Sequence, residues 1–111
     1  MNALTRDALL NAPPKSTTVE LPDIGGSVRI RQMTAGEWMQ FISRPFEERE
    51  TTGAWLVSIC AIDDEGKQLF SADDVSKIQA MSFRTVEAIA SAILEMNRLT
   101  KQSQEDIAKK S

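Results

Sequence analysis

The sequence predicts an α+β fold, mainly helical: an N-terminal short helix and a β-hairpin, followed by about four helices. Two patterns carry that prediction. Polar and apolar residues alternate along Thr17–Pro22 and again along Ser27–Arg31, the period of two that marks a strand. Beyond Thr34, apolar residues recur instead at spacings of three and four behind helix-capping residues. The chain has 111 residues, 41% hydrophobic and 26% charged, which fits one globular domain. We expect residues 1–14 to form an N-terminal helix or arm, 15–99 a single α+β domain with its β-hairpin at 17–31, and 100–111 a mobile C-terminal tail.

Leu4–Ala12 has the marks of a short helix. Thr5 is placed to cap it, Asp7 suits its first turn, and Pro13-Pro14 ends it. So short a helix is marginal alone and needs a surface to dock on, in this domain or in a neighbouring subunit. In the hairpin, Asp23-Ile24-Gly25-Gly26 supplies a four-residue loop whose glycines tolerate positive φ. Pairing Leu21 with Val28 and Val19 with Ile30 puts the apolar residues on one face; Glu20 then meets Arg29, and Thr18 meets Arg31. Two strands leave two open edges, so a third strand from another copy is an attractive partner.

Thr34-Ala35-Gly36-Glu37 is a capping box. The helix it opens carries Trp38, Phe41 and Ile42 on a stripe expected to face the core, and Arg44-Pro45 stops it. Glu47–Gly53 is polar, either a loop or a charged extension of the next helix. Ala54–Ile62 is apolar almost all round, which predicts a central helix. Asp63–Lys67 is then a turn between helices, with Leu69-Phe70 a short extended segment. Ser71 caps a further helix that runs through Val75 and Ile78 to about Ala80. Ser82 opens the longest one, to about Leu99, with Val86, Ile89, Ala90, Ile93 and Met96 on one stripe.

Composition excludes several chemistries. There is no histidine and no tyrosine, and one cysteine, Cys60. Histidine-containing triads, imidazole metal sites, Cys-cluster zinc sites and internal disulfides are therefore absent from this chain. Asp63-Asp64-Glu65-Gly66 resembles a calcium loop only superficially: counted from Asp63, the sixth residue is Gln68 and the twelfth Asp74, where an EF-hand needs glycine and glutamate. We expect no catalytic residue, no metal and no cofactor. Cys60 is expected to be an inert core thiol.

The net charge of −3 argues against nucleic acid as the main partner. That charge is uneven, with eight acids against two bases between Glu47 and Asp74 and 11 bases against 8 acids elsewhere. A solvated face is the simplest account of the acidic region, and a docking face for a basic partner is the sharper one. No stretch approaches the ~20 apolar residues that span a bilayer, and the N-terminus lacks the pattern of a signal peptide. A cytoplasmic protein without membrane contact is expected. Core packing is the default for Trp38 and Trp55, and a solvated strand face for Arg29 and Arg31. These four residues are also the candidate partner contacts.

In order along the chain, four stretches resemble the tail assembly chaperone family of long-tailed bacteriophages of siphophage type. They are Leu4-Thr5-Arg6-Asp7-Ala8-Leu9-Leu10; the hairpin from Val19 to Arg31; Met33-Thr34-Ala35-Gly36-Glu37; and Ile59 through Val75, including Asp63-Asp64-Glu65-Gly66-Lys67 and Ser71-Ala72-Asp73-Asp74. Asn97-Arg98-Leu99-Thr100, followed by a short acidic helix, also fits. The resemblance implies a non-enzymatic protein of the host cytoplasm, absent from the mature virion. It would bind the tape measure protein, keep its long apolar helices soluble, and promote polymerisation of the tail tube protein. Homo-oligomers are expected, and a longer frameshifted form is common in the family. No marked hydrophobic groove is visible in the sequence. The other reading is a small adaptor or regulatory protein-binding domain without chaperone activity.

Overall fold

The computed structural model describes residues 3–97. The expected C-terminal tail therefore lies outside the described residues. Helix α1 (Arg6–Asn11) begins where Thr5 Oγ accepts the Ala8 amide at 3.1 Å. It ends before the two prolines, which cannot continue a helical ladder. Every residue from Ala3 to Pro14 is exposed, so the helix docks on nothing among the described residues.

Strands β1 (Ser16–Leu21) and β2 (Gly26–Arg31) form the expected antiparallel hairpin. Its register differs from the expected one by two residues: Val19 faces Val28, Thr17 faces Ile30, and Leu21 faces Gly26. Glu20 accordingly meets Ser27, and Thr18 meets Arg29. The cause is the turn. Pro22–Ile24 winds into a single 3-10 turn, closed by the Gly25 amide on the Pro22 carbonyl at 3.2 Å, so the loop starts one residue early. Gly25 takes φ +72°, a conformation that only glycine adopts without strain. Because side chains alternate with a period of two, the slip leaves the same residues on the apolar face.

Helix α2 (Ala35–Ile42) is followed by a 3-10 stretch over Phe46–Thr51 and by α3 (Thr52–Cys60). The apolar segment expected to stay helical to Ile62 leaves the helix at Cys60. Ala61–Ile62 is strand β3, paired with β2 through Ile30–Ala61 and Arg29–Ile62. The second edge of β2 is thus filled by this chain and not by another copy. Asp63–Lys67 connects β3 to a bridge between Ile62 and Gln68, so it reverses a short hairpin and does not link two helices. The Asp63 carboxylate accepts the Glu65 and Lys67 amides at 2.8 and 3.0 Å, and Gly66 closes the turn at φ +85°.

Helix α4 (Val75–Gln79) follows a 3-10 turn whose start is capped by the Asp74 carboxylate, which accepts the Ser71 amide at 2.9 Å. Helix α5 (Phe83–Met96) then packs against both α3 and the sheet. Its stripe behaves as expected: Ile89, Ala90 and Ile93 are buried, with Val86 and Met96 packed beside them. Helix α3 sits centrally, which is why it is apolar on nearly every side. Ile30, Leu56, Val57, Cys60, Ile78 and Ile93 are the largest fully buried side chains and join sheet, α3, α4 and α5 in one core. Cys60 lies within it, and burial pushes its thiol up to about 11. It is a packing residue, as its surroundings in sequence imply. Among the described residues no helix is long and apolar enough to cross a membrane.

Candidate functional site

Helix α2 departs most from expectation, and it forms the candidate site. Its cap is the predicted box: Thr34 Oγ1 accepts the Glu37 amide at 3.2 Å, and Glu37 Oε1 accepts the Thr34 amide at 2.9 Å. The same carboxylate takes two bonds from the Arg31 guanidinium, at 2.7 and 2.8 Å. This bidentate pair ties the start of α2 to the end of β2, and both side chains are largely shielded from solvent. The Arg31 hydrogen bonds hold the Glu37 carboxyl below its ordinary range, and Glu37 in turn raises Arg31.

With its start held, α2 rests Phe41 against the core and leaves its other apolar residues more open. No residue of α2 is buried. The stripe expected in the core is instead half-exposed: Trp38 and Phe41 are half-buried and Ile42 is 53% exposed, with Met39 next to it at 55%. The reason lies in the sheet, α3, α4 and α5, which supply the buried core, so that α2 adds only Phe41 at its margin. Trp38 stands 5.8 Å from Phe41 between ring centroids, and Phe41 stacks at 6.4 Å on Trp55 of α3. Arg44 covers the Trp55 ring at 4.9 Å and donates to Thr51 Oγ1 at 2.7 Å. Next along the chain, Phe46 is 72% exposed beneath the Arg49 guanidinium, 4.0 Å from its ring. An aromatic and aliphatic face rimmed by two arginines results. Such a surface suits an amphipathic helix, because apolar area supplies the attraction and the arginines order the rim.

The structure brings Trp38 and Trp55 together through Phe41. Arg29 and Arg31 lie apart from these aromatics and are hydrogen-bonded within the chain. Arg29 is half-buried and donates to Ser16 Oγ at 2.9 Å and to the Asp64 carbonyl at 3.2 Å, joining β1 to the turn after β3. Arg31 serves Glu37. Neither is the free basic group that an exposed strand face would display. Met39, Arg44 and Phe46 complete the site without having been singled out by sequence. The spacing of Phe46 and Arg49, three apart in a charged segment, is the one local signal that could have marked them.

A second apolar feature runs between α3, the end of α4 and α5, contrary to the absence of a groove in the sequence pattern. It is an open groove of 410 Å³ with apolar walls from Ala54, Met81, Phe83, Val86 and Leu94. Glu50 and Glu87 also line it, and among the described residues no lysine or arginine does. Phe83 at its end is 75% exposed.

The acidic turns hold two of their carboxylates by backbone hydrogen bonds. The Asp63 and Asp74 carboxylates are held below their ordinary range, Asp63 first by the Lys67 amide and Asp74 first by the Ser71 amide. These backbone bonds commit both acids to turns. No cluster of three or more potential metal ligands occurs among the described residues.

No protein-family model matches the chain, and no curated protein does. Among solved structures, the chain is similar to the tail assembly chaperone of bacteriophage HK97, with a TM-score of 0.61 and 16% sequence identity. The match covers 81% of this chain and 94% of that one. At that identity the likeness is one of fold, and it agrees with the expectation drawn from the order of the sequence elements. The chain has the α+β fold of the HK97 tail assembly chaperone.

Proposed function

We propose that the protein is a tail assembly chaperone of a long-tailed bacteriophage. It binds the tape measure protein, shields its apolar helices until the tail tube protein polymerises around them, and then leaves. The observation that carries this reading is the shared fold over 81% of the chain. The face of α2 supplies a physical means. Trp38, Met39, Ile42 and Phe46 offer apolar contact to a client helix without a deep pocket, and a small open face releases its client more readily than an enclosed one. In this role the protein works in the host cytoplasm, has no catalytic duty and is absent from the finished particle.

Co-expression with the tape measure protein of the same genome tests the proposal. The expected outcome is a client that stays soluble and co-purifies with this chain, and that sediments as aggregate without it. A client equally insoluble with and without the chain overturns the chaperone role. A soluble complex with some other folded protein, and none with the tape measure protein, would instead mark an adaptor.

A further inference from the structure

No residue of α2 is buried, and the helix meets the core only through Phe41 near its end. Packing therefore does little to set its direction, which is decided where it leaves the sheet. The pairing of β1 with β2 ends at Gln32, whose amide donates to the Lys15 carbonyl at 2.9 Å while its Oε1 accepts the Lys15 amide at 3.2 Å. The cap of α2 is Thr34, whose amide is taken by Glu37. Met33 is the one residue between sheet and cap. Its side chain rests against the core, and its amide donates at 3.1 Å to Oδ1 of Asn97, 64 residues further along the chain.

Asn97 closes α5, and its carboxamide has a fixed sense there. Nδ2 donates to the Ile93 carbonyl at 2.8 Å, which turns Oδ1 toward Met33. Met33 and Asn97 are both half-buried, where an amide that loses its acceptor is costly to leave unpaired. The Arg31–Glu37 pair is local, six residues apart, and moves with the strand–helix corner. The Met33–Asn97 bond instead ties that corner to α5 and, through the fully buried Ile93, to the core. We propose that Asn97 is a positioning residue for the apolar face of α2: by holding the Met33 amide it sets the direction in which Trp38, Met39 and Ile42 are presented. Its bearing on a client rests on the chaperone reading above. The placement of α2 does not, so the two are measured separately.

Residual dipolar couplings on the isotope-labelled full chain read helix direction. In the parent, the amides of α2, α3 and α5 should fit one alignment tensor. In Asn97→Ala, α3 and α5 should still share a tensor, while the couplings of α2 depart from it or shrink toward zero. Gly25→Ala controls for lost stability alone: it strains the turn at the far end of the hairpin, where φ is +72°, and should leave α2 on the common tensor. Unchanged α2 couplings in Asn97→Ala overturn the proposal, and so does an equal departure in Gly25→Ala. Amide exchange in the parent decides the matter even where Asn97→Ala fails to fold. Met33 should exchange about tenfold or more slower than Ala35, an exposed amide in the first turn of α2, and equal rates overturn the proposal. With the tape measure protein as client, Asn97→Ala should lose most of the protection against aggregation. A displaced α2 with protection intact supports Asn97 as the positioning residue and counts against α2 as the client surface. Protection lost with α2 still in place overturns the role of Asn97 and leaves that surface standing.

Discussion

Glu37 does three things with one carboxylate: it closes the capping box, receives both arms of the Arg31 guanidinium, and thereby sets the direction in which α2 leaves the sheet. Replacing it by glutamine keeps the size and removes the charge. Glu37→Gln should lower stability by about 1–3 kcal/mol at pH 7, read as a lower midpoint in chemical denaturation. The same residue predicts a dependence on acid. The folded-state values of Glu37, Asp63 and Asp74 all lie below their ordinary ones, so the unfolded chain binds more protons as pH falls. Their contribution is complete above the ordinary carboxylate values, about pH 4 to 4.5, and is lost as pH drops through the lower folded-state values. The gap between the parent chain and Glu37→Gln should therefore narrow below about pH 4. A gap that is constant down to pH 2 contradicts this assignment.

At the scale of elements, the hairpin turn separates two adjacent glycines by their conformation. Gly25 sits at φ +72° with open space around it, whereas Gly26 has an ordinary backbone and equally open surroundings. Gly25→Ala should cost about 1–2 kcal/mol through the left-handed backbone alone, and Gly26→Ala should lie within about 0.5 kcal/mol of the parent. Equal effects would mean that the turn differs from the one described. This turn also explains what was legible in the sequence. Capping boxes, turn glycines and the stripe of α5 are local, so Thr34, Gly25 and Ile93 announced their roles by spacing. The strand register, the two-residue strand at Ala61–Ile62 and the half-exposed face of α2 were not local. A slip of two residues preserves every face of the hairpin, and Trp38, Phe41 and Ile42 show the same spacing whether they face a core or a partner. What decided α2 was that the sheet, α3, α4 and α5 already supplied the buried core.

For the whole molecule, the order of elements proved more informative than any one motif. Individual residues such as Arg29 and Arg31 say little alone, and in the fold each is hydrogen-bonded within the chain. The succession of arm, hairpin, capped helix, apolar centre and acidic turn resembled a tail assembly chaperone, and the fold agrees with the HK97 one at 16% identity. At so low an identity the side chains that pack the core can change while the pattern of apolar and polar positions is kept. The candidate site follows the same logic. Its parts are dispersed over α2, the 3-10 stretch after it and α3, and only the folded chain assembles them.

The chaperone account is tested most directly by aggregation of the client. Purified tape measure protein, diluted from denaturant, should scatter light strongly alone and far less with an excess of this chain. Met39→Asp with Ile42→Asp leaves the core untouched, because both side chains are more than half exposed. That variant should remain folded and lose most of the protection. Protection by the parent chain with loss in the variant is the predicted result; undiminished scattering in the presence of the folded parent chain would contradict the account.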